Sequence, residues 1–245
     1  MSATAMLARL AGDARHTRDI DLYRLDSDLI AAEDALRTAA TVDAGDFFRF
    51  ALSPARRITQ DRHTVRVPVV AYLGVREYSR FHVDLVTDLT ITAPPDEVMP
   101  LVSLALVGAM TTTYRAYPIA DHIADKVCAM IEVHPRADGR AQASTRYHDL
   151  ADLATFARTA FPKADALTRA LRSEATQRGL ELPTQLSIPG PSWGPGYAQV
   201  ARDNPRLVDR DLAQALAVAA ALIDPILAAS ATGTWDPGRQ GWCCP

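Results

Sequence analysis

The segment Arg18-Asp-Ile-Asp-Leu-Tyr23 alternates apolar and acidic side chains with a period of two residues. Such alternation is typical of a β-strand with one buried face, which places Asp19 and Asp21 together on the opposite face. Residues 65–73 and 81–92 are rich in Val, Leu, Ile and Thr, and a polar stretch with a glycine separates them. We therefore predict a pair of further strands and a sheet in the first half of the chain.

Helical periodicity is predicted for most of the remaining chain. Pro118 is a favourable first residue for a helix in which an apolar side chain recurs at every fourth position, and the polar side of this helix carries His122 and Lys126. Strands followed by a run of helices predict an α+β fold. The predicted helices cover residues 2–10, 28–52, 118–131, 146–158 and 207–229.

The predicted elements divide the chain into three parts. Residues 1–117 are expected to form an N-terminal mixed-sheet domain, and residues 118–230 a helical C-terminal domain. Residues 231–245 show neither period and are expected to form a flexible tail.

The composition is that of a packed globular protein. Of the 245 residues, 48% are hydrophobic and 22% are charged, a mixture that excludes extensive disorder. The formal net charge of −3 argues against wholesale nonspecific binding to nucleic acid, which relies on Lys and Arg. Arginines cluster between residues 49 and 80, and this cluster is either a local basic patch or an ordinary solvated surface.

Cysteine usage and the lack of long apolar stretches in the sequence indicate the cytoplasm. Cys128 stands apart from the adjacent Cys243 and Cys244, a spacing that fits neither a disulfide framework nor a zinc site. The sequence begins without a signal-peptide pattern, and no apolar run reaches the ~18 residues that a membrane span needs. We expect a cytoplasmic protein without a membrane partner.

Three aspartates are candidate metal ligands. Asp19 and Asp21 share one strand face, and Asp84 lies on a later strand with its apolar neighbours on the opposite face. Mg²⁺ prefers oxygen ligands and binds through a few carboxylates plus substrate phosphates. Two metal ions held this way stabilise the attacking and leaving oxygens of a phosphoryl transfer. The alternative is a pair of aspartates on an exposed strand face, which is a common pattern.

Four stretches carry a resemblance to a known family. They are Arg15-His-Thr-Arg-Asp-Ile-Asp-Leu22, Phe81-His-Val-Asp84, Ile123-Ala-Asp-Lys126 and Arg146-Tyr-His-Asp-Leu-Ala-Asp152. In order and spacing the sequence resembles the nucleotidyltransferase toxins of the AbiEii and MenT type, which belong to the polymerase-beta-like nucleotidyltransferase superfamily. The resemblance extends over most of the chain.

The resemblance implies roles for individual residues. Asp19 and Asp21 correspond to the metal-binding pair, and the metal would be Mg²⁺ or Mn²⁺. Lys126 corresponds to a lysine that contacts the triphosphate of the NTP substrate, and Asp149 to an acidic residue needed for activity. The expected nucleotide-binding residues are Ser2, Thr4, Arg15, Thr17, Lys126 and Arg146.

Without the resemblance, ordinary ion pairs would explain the charged residues of the two central helices. Lys126 could form a salt bridge to Asp125, Asp121 or Asp149. Arg146 and Asp149 are three residues apart and could form a helix-surface pair. With the resemblance, Asp149 is interpreted as orienting Lys126 or the nucleotide sugar.

The N-terminal segment departs from the superfamily pattern. The superfamily has a Gly-Gly or Gly-Ser pair at a helix start, where backbone amides meet the triphosphate. Met1-Ser-Ala-Thr-Ala5 stands at that place. Three explanations are open: the glycines lie upstream of the assigned start, Ser2 and Thr4 substitute for them, or activity is lost.

The expected reaction moves a nucleoside monophosphate from an NTP to a hydroxyl group and releases pyrophosphate, with the nucleotide in a cleft between the two domains. The resemblance implies an RNA acceptor, the 3′ end of tRNA, and a toxin with a cognate antitoxin. One alternative is a catalytically impaired relative that binds nucleotide or RNA. Another is the same chemistry on a small molecule or a protein hydroxyl.

Overall fold

A computed structural model describes residues 19–43, 45, 47–58, 63–99, 113–135 and 141–244. The predicted helix over residues 2–10 lies outside this part, as do Ser2, Thr4, Arg15 and Thr17. The chain forms two compact units that divide after residue 90. Within the described part, residues 19–90 are the sheet unit and residues 91–244 the helical unit.

The sheet unit contains the mixed sheet that the sequence predicts. Its elements are β1 (Asp19–Tyr23), α1 (Leu29–Ala40), β2 (Phe48–Leu52), β3 (Arg56–Arg57), β4 (Thr64–Leu73) and β5 (Arg76–Val86). The strand order is β1-β5-β4-β2, and β3 also pairs with β4. β1 runs parallel to β5, whereas the other pairs are antiparallel.

Alternating burial gives the sheet two different faces. Val65, Val67, Val69 and Ala71 of β4 are buried, whereas the residues between them are partly exposed. Branched apolar side chains at every second position suit a strand with one packed face. The other face of the sheet therefore remains available for polar side chains.

The predicted helix over residues 28–52 is only partly correct. The helix begins after Asp28, whose carboxylate caps it by accepting from the amide of Ala31, and it ends at Ala40. Phe48–Leu52 is a strand paired with β4. Its phenylalanines alternate onto the apolar face of the sheet, and cross-strand packing therefore overrides the helical pattern that predicted a helix here.

The helical unit is built around one hydrophobic core. Its elements are β6 (Asp96–Val98), β7 (Tyr114–Ala116), α2 (Ile119–Ile131), β8 (Val133–Pro135), β9 (Ala141–Ala143), α3 (Tyr147–Thr159), α4 (Ala164–Arg178), α5 (Trp193–Asp203), α6 (Leu212–Leu227), β10 (Thr234–Asp236) and β11 (Gly241–Cys243). α2 packs against α3 and α4, and α3 also packs against α5 and α6. None of the helices in the described ranges is long and apolar enough to cross a membrane.

The boundary between the units lies earlier than the predicted boundary at residue 117. β6 pairs with β7, and the carboxylate of Asp96 accepts from the amide of Ile119 at 3.0 Å. Asp121 accepts from the amide of Thr92 at 2.8 Å. Because these bonds connect the segment after residue 90 to the first turn of α2, that segment belongs to the helical unit.

The prediction of a flexible tail over residues 231–245 is wrong. β10 and β11 form an antiparallel hairpin, and Trp235 is only 1% exposed. The indole of Trp235 donates to the carbonyl of Ala157 at 2.8 Å, and the indole of Trp242 donates to the carbonyl of Leu222 at 3.1 Å. Two strands of three residues are too short to show an alternating pattern in the sequence, but their tryptophans pack the hairpin against the helices.

Replacing Trp235 with alanine is expected to destabilise the helical unit by about 3–5 kcal/mol, because the substitution removes a buried indole and leaves a cavity. Urea unfolding followed by tryptophan fluorescence measures this loss, since Trp193 and Trp242 remain in the same unit. Phe161→Ala is the matched control, because Phe161 is 65% exposed and should cost little. Equal effects of the two substitutions would contradict a structural role for the hairpin.

Candidate functional site

One row of charged side chains crosses the sheet unit. Asp21 of β1 pairs with Asp84 of β5, Asp84 pairs with Arg66 of β4, and Arg66 pairs with Arg56 of β3. Directly paired residues point to the same face of a sheet, and adjacent strands are about 4.8 Å apart. The structure therefore brings Asp21 and Asp84 together, as the sequence predicts. The backbone of Asp19 pairs with that of His82 in the same parallel register.

Arg66 binds Asp84 through both of its carboxylate oxygens. Nε donates to Oδ1 and a terminal guanidinium nitrogen donates to Oδ2, each at 2.7 Å. Two parallel bonds of this kind are the strongest geometry between arginine and a carboxylate. Arg66 is not among the site residues that the sequence predicts. Its alternation with buried valines places it on the polar face, but its position opposite Asp84 depends on a strand register that the sequence does not display.

The donor chemistry of the row fits a hard divalent cation. Asp21 and Asp84 present carboxylate oxygens on neighbouring strands, and Asp19 is two residues before Asp21. Among the residues that the structure describes, no three His, Cys, Asp or Glu side chains are grouped as a metal site. The assignment of Asp19, Asp21 and Asp84 as metal ligands therefore stays a prediction.

A second cluster of charges lies in the helical unit. The ammonium of Lys126 on α2 donates to Asp152 at 2.6 Å and to Asp149 at 3.2 Å, both on α3. The other oxygen of Asp149 accepts from Arg146 Nε at 2.6 Å. Lys126 is completely buried, and both aspartates are almost so. The salt bridge between Lys126 and Asp149, considered in the sequence analysis, is present.

The titration behaviour of this cluster follows from its pairing. Burial by itself lowers the pKa of Lys126, but the charges of Asp152 and Asp149 outweigh burial and raise that pKa above its ordinary value. Burial raises the pKa of Asp149, but Lys126 and Arg146 outweigh it and hold that pKa below its ordinary value. Lys126 and Asp149 are therefore both held in their ionised forms.

The polar side predicted for α2 is not a solvent-exposed side. Every residue from 120 to 130 is buried, including His122 and Lys126. The charge of Lys126 is tolerated because α3 supplies carboxylates, which periodicity within α2 alone does not reveal. Asp152 was not selected as a site residue, although its spacing of three from Asp149 places both on one helix face.

The candidate residues belong to different compact units. Asp19, Asp21 and Asp84 lie in the sheet unit, and the cluster around Lys126 lies in the helical unit. The expected roles of Lys126, Arg146 and Asp149 toward a nucleotide stay predictions, as does the expected cleft.

Comparisons with known proteins identify relatives. The model of a family described as nucleotidyl transferase AbiEii toxin, type IV TA system, matches residues 3–227. The chain is similar to the nucleotidyltransferase toxin MenT4 from Mycobacterium tuberculosis H37Rv, with a TM-score of 0.50, 16% identity, and coverage of 94% of this chain and 83% of that one. It is also similar to JHP933 from Helicobacter pylori, with a TM-score of 0.42, 16% identity, and coverage of 91% and 82%. The comparison with curated proteins gave no match.

Proposed function

Because the chain belongs to the AbiEii family of nucleotidyltransferase toxins, we propose that it transfers a nucleoside monophosphate from an NTP to the 3′ hydroxyl of tRNA. The observation that carries the proposal is the alignment of Asp21 with Asp84 on neighbouring strands. Toxins of type IV systems have a cognate antitoxin, and NTP and tRNA are available together in the cytoplasm, where we place the reaction.

The sheet residues supply the charges that this reaction needs. Asp19, Asp21 and Asp84 would hold Mg²⁺ or Mn²⁺, which when bound neutralises developing charge on the phosphates and activates the acceptor hydroxyl. The acceptor oxygen forms a bond to the α-phosphorus, the bond from that phosphorus to the bridging oxygen breaks, and pyrophosphate leaves. The hydroxyl proton passes to solvent.

The row also contains an arginine, Arg66, that reduces the repulsion between its two carboxylates. Two like charges on directly opposite strand positions repel each other. Arg66 offsets the charge of Asp84, whose side chain is only 15% exposed. The guanidinium of Arg66 therefore offsets the charge of Asp84 and holds its carboxylate in place on the face that carries Asp21.

Incubation with each α-³²P-labelled NTP and total bacterial RNA tests the proposal. In the presence of Mg²⁺ or Mn²⁺, we expect labelled tRNA on a denaturing gel, and EDTA should abolish the label. Readdition of metal should restore it, because the carboxylates bind phosphates only through a cation.

The acceptor is identified by the band that carries the label. Label on protein or on a small molecule would overturn the tRNA acceptor while supporting a transferase. The absence of label on any acceptor would support the alternative of an impaired relative that binds nucleotide or RNA.

A further inference from the structure

The face of the sheet that carries Asp21 and Asp84 continues along β4 and β5, away from the acids. Every second residue of β4 from Arg66 to Tyr72 is on this face, because the residues between them are buried on the other. Tyr72 pairs with Arg49 of β2. Tyr72 lies six positions after Arg66, which corresponds to about 20 Å of extended strand. The face thus leads from the acids to an arginine and a tyrosine.

Arg49 and Tyr72 form a stacked pair on this face. The guanidinium carbon of Arg49 is 5.0 Å from the centre of the Tyr72 ring. Arg49 is exposed and Tyr72 is partly exposed. A guanidinium above an aromatic ring is a favourable cation–π arrangement. It also presents a flat cationic surface with N–H groups at its edge.

We propose that Arg49 and Tyr72 are a docking platform for an unpaired nucleotide of the RNA acceptor. Single-stranded RNA is bound by stacking its bases on aromatic rings and on arginine planes, and its phosphates are bound by the same arginines. The inference rests on the proposed transfer to RNA: with the reacting end at Asp21 and Asp84, the strand continues over the face to the platform.

The charges on this face fit a polyanion better than the whole chain does. The formal net charge is −3, so attraction for RNA has to be local. Arg80 is exposed on this face and pairs with Glu77, and Arg56 is exposed in the row of the acids. Arg80 is on β5 and Arg56 is on β3, so one arginine lies on each side of β4, where it can bind a phosphate of an RNA strand that follows β4.

The opposite face at the same end of the sheet has a different character. Phe48 contacts Phe50 and Tyr78 through their rings, and Tyr78 is 67% exposed. Exposed clusters of this apolar kind suit protein partners. Arg76 and Tyr78 provide a matched control on the same hairpin, because they supply the same residue types on this opposite face, where Arg76 pairs with Leu73 and Tyr78 contacts Phe48.

Binding of a fluorescent tRNA acceptor-stem RNA with an unpaired 3′ end tests the platform. We expect the double substitution Arg49→Ala and Tyr72→Ala to weaken binding by about tenfold to a hundredfold, from the loss of one stacked base and one phosphate contact. The KM for RNA should rise by a similar factor with kcat unchanged. Tyr72→Phe should retain wild-type binding, because it keeps the ring.

The control double substitution Arg76→Ala and Tyr78→Ala should leave RNA binding unchanged. Wild-type binding by the platform variant, or an equal loss in the control, would overturn the platform. Circular dichroism confirms folding, and Tyr72→Phe gives a second reading in a minimally changed chain. If wild-type protein labels no RNA but binds it through the platform, the proposed function fails and the platform stands. If wild-type protein labels RNA and the platform variant has an unchanged KM, only the platform fails.

Discussion

Asp21→Asn is expected to lower the rate of nucleotide transfer by at least about a hundredfold while the chain stays folded. The carboxylate of Asp21 lies beside Asp84, and replacing it with an amide removes one of the anionic ligands that would hold the cation against the triphosphate. Losing one group that stabilises charge in a transition state typically costs a factor of 10² to 10³. Single-turnover labelling of tRNA with the preferred NTP measures the rate.

Asp34→Asn provides the control for this substitution. Asp34 is exposed on α1, which packs against the apolar face of the sheet, so the amide changes the net charge by the same amount without touching the row. The control should transfer nucleotide at the wild-type rate, and both variants should have wild-type circular dichroism. Retention of wild-type activity by Asp21→Asn would remove Asp21 from the site and leave the proposed metal ligands without support.

The strands that carry Asp21 and Asp84 could be predicted because the alternation of apolar and polar residues is a local feature of the sequence. In β1 the alternation of Ile20 and Leu22 with Asp19 and Asp21 specifies both the strand and its polar face. The partner of Asp84 could not be predicted. Arg66 is eighteen residues from Asp84 in the sequence, and only the register of β4 against β5 makes them neighbours.

The two wrong predictions of secondary structure also arise from contacts between residues that are distant in the sequence. Phe48–Leu52 pairs with β4, and this pairing overrides the helical pattern of the segment. The strands of the hairpin near the C-terminus are too short to show the two-residue alternation of a β-strand. The hairpin is held in place by Trp235, which bonds to α3. In each case the decisive interaction is distant in the sequence, whereas propensity and periodicity report local preference.

The burial of Lys126 shows that a candidate site residue can also depend on contacts that local sequence patterns do not reveal. A lysine among polar residues in a helical pattern is usually exposed. Here Asp149 and Asp152 come from the next helix and compensate the charge, so the position is buried without an isolated ion. The resemblance to the family therefore pointed to Lys126, whereas the polar pattern of α2 alone predicts that this residue is exposed.

Lys126→Met is expected to destabilise the helical unit by about 3–5 kcal/mol near pH 7. Methionine fills a similar volume, but it leaves the carboxylates of Asp149 and Asp152 buried without their ammonium partner, which is the costly way to break a buried ion pair. Urea unfolding followed by tryptophan fluorescence measures the loss, because Trp193 and the other two tryptophans all lie in this unit.

The pH dependence distinguishes a broken ion cluster from a packing defect. The pKa of Asp149 is depressed in the folded protein, so its stabilising contribution is present above the unfolded value of about 3.9 and is lost as pH falls through the folded value. Without the charge of Lys126, the pKa of Asp149 rises and this carboxylate protonates at higher pH. The stability difference between wild type and Lys126→Met should therefore be largest near pH 7 and shrink toward pH 4. A difference that stays constant over this range would indicate lost packing. Lys163→Met is the control, because Lys163 is an exposed lysine of the same unit. Its stability should differ little from that of the wild type at either pH.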